Sequence, residues 1–164
     1  MKLDLLNTMS REAFTKALGA IFEHSPWVAE LAWENKPFGS VEQLHESMVN
    51  AAYTAGEERV LVLIREHPDL ATRISIGEYS TREQQGAGLS QLTPEEYEQF
   101  AAMNRQYTEK FGFPFILAVR GKSKADIKEA MASRIDNSLQ EELEEAKWQI
   151  ARITFLRLND LIEQ

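Results

Sequence analysis

Cysteine is absent from the 164 residues, which removes disulfides, thiolate nucleophiles and the common cysteine-based zinc sites. Long apolar runs are absent too. Nothing approaches the roughly 18 uninterrupted apolar residues of a membrane span, so a soluble chain with no membrane partner is expected. Positive charge is in short supply: 18 Lys and Arg stand against 26 Asp and Glu, a net charge of −8. The basic residues are scattered among acids without forming a stripe, so phosphate backbones should be repelled and nucleic acid is not an expected partner. Met1 to Ser10 alternates apolar with polar residues and develops no signal core. The ending Ile162-Glu163-Gln164 lacks the Ser-Lys-Leu peroxisomal address, and both features point to the cytoplasm. Of three histidines, none has the i, i+4 companion of a metal pair, so no metal site is expected and His24 and His45 read as surface or structural residues.

What is present has the balance of an ordinary globular protein, 43% hydrophobic and 27% charged. The length suits one core, and no repeat or linker divides the chain, so residues 1–164 are expected to form a single compact domain. Helix-start chemistry then recurs along it. Ser10 precedes Ala13, Phe14, Ala17, Leu18, Ile21 and Phe22 at helical spacing. Ser25 with Pro26 opens a short helix with Trp27, Leu31 and Trp33, stopped by Pro37. Ser40 with Gln43 forms a capping box ahead of Val41, Leu44 and Met48. The run Val60-Leu61-Val62-Leu63-Ile64 is too apolar for a surface, and its charged flanks favour a buried helix ending near His67, where Pro68 turns the chain.

Asp69 to Tyr79 reads as a loop. Ser80 with Glu83, and Thr93 with Pro94 and Glu96, are two more capping boxes; the second opens a helix through Phe100, Met103 and Tyr107 to Gly112. Phe113 to Val119 contains Pro114 and is short and apolar, so it is the one segment expected to be extended, and it must be buried. Ser123 with Asp126 starts another helix. Asn137 or Ser138 starts a last long one, with Leu143, Ala146, Ile150, Ile153 and Leu158 as its inner stripe. The expectation is all-α, seven or eight helices and no sheet.

Few residues in this frame can carry chemistry. His67 stands where a helix runs out into a proline; the partial negative charge there favours a protonated imidazole, usable as an acid, although the ring can equally cap the last carbonyls. Ser80-Thr81-Arg82-Glu83-Gln84 is a cap on structural logic, and also sets a carboxylate and a carboxamide at the positive end of a helix. The glycines of Gly86-Ala87-Gly88 suggest close packing or close approach of a ligand. Arg120, at the lip of the buried run, either reaches water or binds a carboxylate. The main chain from Phe115 to Val119 would face a ligand wherever helix bonds do not engage it. Glu141, Glu142, Glu144 and Glu145 read as a solvated face, and the rival to a catalyst is a non-catalytic helical module that binds a protein through such acids.

Taken together, Glu66-His67-Pro68-Asp69-Leu70-Ala71, then Ser80-Thr81-Arg82-Glu83-Gln84 with Ala87-Gly88-Leu89, then Phe111 to Gly121 resemble the 2-oxo-4-hydroxy-4-carboxy-5-ureidoimidazoline (OHCU) decarboxylases. The likeness extends to the opening Ser-Arg-Glu-Ala-Phe segment and the final helix. It implies an all-helical fold, commonly a homodimer, that forms (S)-allantoin from a product of urate oxidation without metal or organic cofactor. It implies His67 as the catalytic acid, with Glu83 and Arg120 also catalytic. Pro68, Ser80, Thr81, Arg82, Gln84, Phe115, Ile116, Leu117, Ala118 and Val119 would bind the substrate.

Overall fold

Serine and threonine side chains start most of the helices, and the computed structural model, which describes residues 1–68 and 93–163, shows how each start is made. The chain forms two compact units, Met1–Glu66 with Ala151–Gln164, and His67–Ile150. Among the described residues there are eight α-helices and one 3-10 turn, with no strand, as expected of an all-α fold. No helix among them is long and apolar enough to cross a membrane.

The first unit opens with α1 (Leu3–Thr8), which carries no side-chain cap and was not expected. Asn7 from this helix pairs with the main chain of Phe38, donating to its carbonyl at 2.9 Å and accepting from its amide at 2.8 Å. In α2 (Arg11–Leu18) the Ser10 hydroxyl accepts from the Ala13 amide at 3.2 Å. The helix stops at Leu18, four residues before Phe22; Ile21 and Phe22 are buried outside it.

The start of α3 (Trp27–Ala32) lies one residue past expectation, with Pro26 in the cap position, and the 3-10 turn Trp33–Asn35 follows. The inner face of α3 is Val28, Ala29 and Ala32, while Trp27 and Trp33 are half-buried and Leu31 is exposed. Polar contacts hold the two indoles near the surface: the Arg59 guanidinium lies 4.1 Å from the Trp27 ring centroid, and Trp33 donates its ring N–H to the Met9 carbonyl at 3.0 Å.

In α4 (Val41–Tyr53) Ser40 accepts from the Gln43 amide at 3.2 Å, while Gln43 reaches back to the amide of Gly39 at 2.8 Å, one residue earlier than in a capping box. The expected burial of the whole apolar run in α5 (Glu57–Glu66) is also corrected: Leu63 and Ile64 are buried, but Val62 is 48% exposed. Five successive residues at 100° each sweep more than a full turn, so they cannot share one face.

In the second unit, α6 (Pro94–Phe111) has the expected capping box. Thr93 Oγ1 accepts from the Glu96 amide and Glu96 Oε1 from the Thr93 amide, both at 3.2 Å. Gly112 closes the helix at φ +79°, a left-handed conformation that favours glycine. α7 (Lys124–Arg134) repeats the box with Ser123 and Asp126. Ser138 rather than Asn137 caps α8 (Leu139–Leu161), exchanging bonds of 3.2 and 3.1 Å with Glu141. The part of α8 beyond Ile150 belongs to the first unit, where buried Arg157 donates to the Ile21 carbonyl at 2.9 Å and to Glu23 at 3.0 Å.

Candidate active site

His67 follows directly on the last residue of α5 and is half-buried; Pro68 beside it is buried. A proline after a histidine turns that residue away from helical geometry, which explains why α5 ends there. Ser80, Thr81, Arg82, Glu83 and Gln84, together with the stretch from Asp69 to Tyr79 expected as a loop and the glycines 86 and 88, lie outside the described residues.

Phe113 to Val119 is buried at every position and forms neither helix nor strand. The residues expected to line the substrate, Phe115, Ile116, Leu117, Ala118 and Val119, are therefore one continuous stretch of inward chain. Arg120 emerges from it exposed, in a turn closed by a 3.0 Å bond from the Lys122 amide to the Val119 carbonyl. Gly121, at φ +79°, permits that turn.

Behind the run stands a polar cluster that reading the chain did not anticipate. Arg134 Nε donates to Glu142 Oε1 at 2.9 Å, and Arg134 Nη1 to the Ile116 carbonyl at 2.6 Å. Glu142 also accepts from the Tyr107 hydroxyl, and its second oxygen from Asn137 at 2.8 Å. Glu142 is 0% exposed, so the expectation of a wholly solvated glutamate face is corrected at this position, while Glu141 and Glu144 do face water. Burial, reinforced by the bond to Glu142, pushes the Tyr107 phenol far above its ordinary range, which keeps it a donor.

Gln149 extends this support, accepting from the Ala118 amide at 2.9 Å and donating to Glu145 at 2.8 Å. Phe115 packs edge-on to Tyr107 with centroids 5.2 Å apart, and the Arg134 guanidinium lies 4.4 Å from the Phe115 ring. One signal in the sequence marks these residues: Glu142 and Gln149 fall in helical phase with Ala146, Ile150 and Ile153 of the inner stripe, so their polar groups had to point inward.

Of the other histidines, His45 plays a structural part. His45 Nε2 lies 3.0 Å from the Thr154 hydroxyl and its ring packs at 5.2 Å on Phe155. Its pKa is lowered, burial outweighing the bond to the Ala151 carbonyl that would raise it. Exposed His24 takes φ 57°. Among the described residues no group of three or more His, Cys, Asp or Glu is placed to hold a metal ion.

Residues 7–159 match the family model described as OHCU decarboxylase. The chain is 42% identical, over 95% of its length, to the 2-oxo-4-hydroxy-4-carboxy-5-ureidoimidazoline decarboxylase of Halalkalicoccus jeotgali, covering 89% of that protein. It is 43% identical, over 99% of its length, to the uric acid degradation bifunctional protein of Bacillus subtilis, and spans 33% of that longer chain. In three dimensions it superposes on a crystal structure of (S)-allantoin synthase with a TM-score of 0.81 and 28% identity, over 99% of this chain and 54% of the other.

Proposed function

Because this chain belongs to the OHCU decarboxylase family and is a carboxy-lyase that forms (S)-allantoin in urate degradation, we propose that His67 is its proton donor and that Glu83, Gln84 and the run from Phe115 to Val119 hold the substrate. The family match over residues 7–159 carries this reading. The half-buried place of His67 at the end of α5 supports its part in it, since carbonyls ending a helix favour imidazolium. Family membership also tells against a non-catalytic interaction module.

The substrate is OHCU, whose carboxylate sits on a ring carbon next to a C=N bond. When the C–CO2 bond breaks, its electron pair forms a C=C bond to the neighbouring carbon, and the C=N pair moves to the ring nitrogen, which takes a proton. The enol so formed gains a proton on carbon and loses one from its hydroxyl, so the sum is one proton consumed and one CO2 released. The ring is its own electron sink, and no organic cofactor or metal enters the scheme. The protein must orient the leaving carboxylate over the π system, stabilise charge on nitrogen and supply a proton to one face. His67 gives that proton; Glu83 and Gln84 hold the ureido and ring amides, and Pro68, Ser80, Thr81 and Arg82 also bind the substrate. Arg120 takes an anionic part of the substrate.

A single family match that crosses both units supports treating residues 1–164 as one functional domain. A cytoplasmic homodimer, as the resemblance implies, completes the proposal; sedimentation of purified protein tests the dimer.

The direct test is His67→Ala assayed on freshly oxidised urate by the growth of optical rotation. General acid catalysis contributes about 10²–10⁴-fold, so a loss of at least that order with unchanged helical circular dichroism is expected. Wild-type build-up in the variant overturns the assignment.

A further inference from the structure

The run from Phe113 to Val119 is buried without a helix or a sheet to satisfy its main chain, so each amide and carbonyl needs a partner of another kind. Among the described residues, three such groups between Phe115 and Val119 are engaged. The Ile116 carbonyl accepts from Arg134 at 2.6 Å, the Ala118 amide donates to Gln149 at 2.9 Å, and the Val119 carbonyl accepts from Lys122 at 3.0 Å. Leu117, between the first two, makes no main-chain hydrogen bond among the described residues.

Peptide geometry turns those two tethers into a statement about Leu117. The peptide bonds on either side of it are trans and planar, so the C=O and N–H of each unit point in opposite directions. Arg134 holds the carbonyl of the 116–117 unit, and so aims the Leu117 N–H away from Arg134. Gln149 holds the N–H of the 117–118 unit, and so aims the Leu117 C=O away from Gln149. One donor and one acceptor on a single residue match the N–H and C=O of a urea or cyclic amide edge, the chemistry that the ureido group and the ring of the substrate both offer.

We propose that Gln149 and Arg134 are positioning residues, which fix the Leu117 main chain to read an amide or urea edge of the substrate. The proposal rests on the reading above that this run binds substrate. Neither side chain touches the substrate. Arg134 is itself held by Glu142, and Gln149 by Glu145, so each tether has a fixed far end.

The experiment uses Gln149→Met, a neutral change that keeps length and removes the acceptor. Small misplacements at a site can cost up to about 10²-fold in rate, so KM and the dissociation constant for (S)-allantoin should rise about tenfold or more. The fall in kcat should be smaller, with melting still well above the assay temperature. The double variant Glu145→Gln with Gln149→Glu restores an acceptor for the Ala118 amide and a donor behind it, and should recover most of the binding; a merely structural glutamine would give no such recovery. Hydrogen exchange at the Leu117 amide, with and without (S)-allantoin, separates the two layers of the argument. Protection of that amide in the wild type, together with normal binding and turnover by Gln149→Met, overturns the positioning role and leaves the substrate reading intact. No protection in the wild type overturns both. Should Gln149→Met fail to fold, Gln149→Asn withdraws the same acceptor by one methylene and is read by the same outcomes.

Discussion

Glu142 shows what a single residue contributes here. Its carboxylate is out of water, and Arg134, Tyr107 and Asn137 all donate to it in place of water. Removing one partner of such a pair strands the other charge in the interior and typically costs about 3–5 kcal/mol. Arg134→Met should therefore lower the denaturation free energy by that order in a urea titration, whereas Arg134→Met with Glu142→Leu, which removes both charges, should recover much of it. A double variant as unstable as the single one would show that the network matters for more than its charges. His45 makes the opposite case, a titratable group kept neutral. Its folded pKa lies below the ordinary 6.5, so as pH falls through that window the unfolded chain takes up the proton first and stability declines. His45→Gln should flatten the dependence of melting temperature on pH below 6.5; a slope unchanged from wild type would assign the effect elsewhere.

At the scale of elements, the helix starts were the most legible part of the chain, because a cap is a local bond between neighbours. Ser10, Ser40, Thr93, Ser123 and Ser138 all accept from the amide three residues on. The acids of two boxes respond as carboxylates should: the Thr93 amide holds the Glu96 carboxyl below its usual range, and Ser123 does the same for Asp126. Folded pKa values below the unfolded ones mean that this stabilisation is present at neutral pH and lost as pH falls through the lowered values. Asp126→Asn, which takes the charge from the acceptor of the Ser123 amide, should lower stability at neutral pH and change it little in acid, measured by denaturation at both; an equal loss at both would detach the effect from the Asp126 carboxylate.

Faces were harder to read than starts. Which side of α5 is buried depends on distant chain, so apolarity alone placed Val62 inside when it is exposed. α1 escaped notice because six residues without a cap leave no periodic signal. In the candidate site the buried character of residues 113–119 was evident from their composition, whereas the cluster behind them was hidden by polar side chains that usually face water. His67 and Arg120 stood out from their surroundings in the chain, but their roles, and that of Pro68, came from resemblance to a family, and the stretch from Ser80 to Gln84 lies outside the described residues.

Over the whole molecule the governing quantity is charge. A net −8 sets up a field that repels an anion, and the proposed substrate carries a carboxylate. That field reaches about 30 Å at 0.01 M salt but only about 8 Å at 0.15 M, whereas a cation in direct contact with the bound carboxylate lies well inside either distance. Adding salt over this range should therefore weaken the distant repulsion more than the local grip, and KM should fall modestly with kcat unchanged. Arg120→Gln removes a local cation, so its KM should stand above the wild-type value at every salt concentration while falling along the same slope. Steady-state rates at the two salt concentrations distinguish the alternatives: a wild-type KM that climbs with salt, and stops climbing in Arg120→Gln, would mean that this arginine and not the net charge governs capture of the substrate.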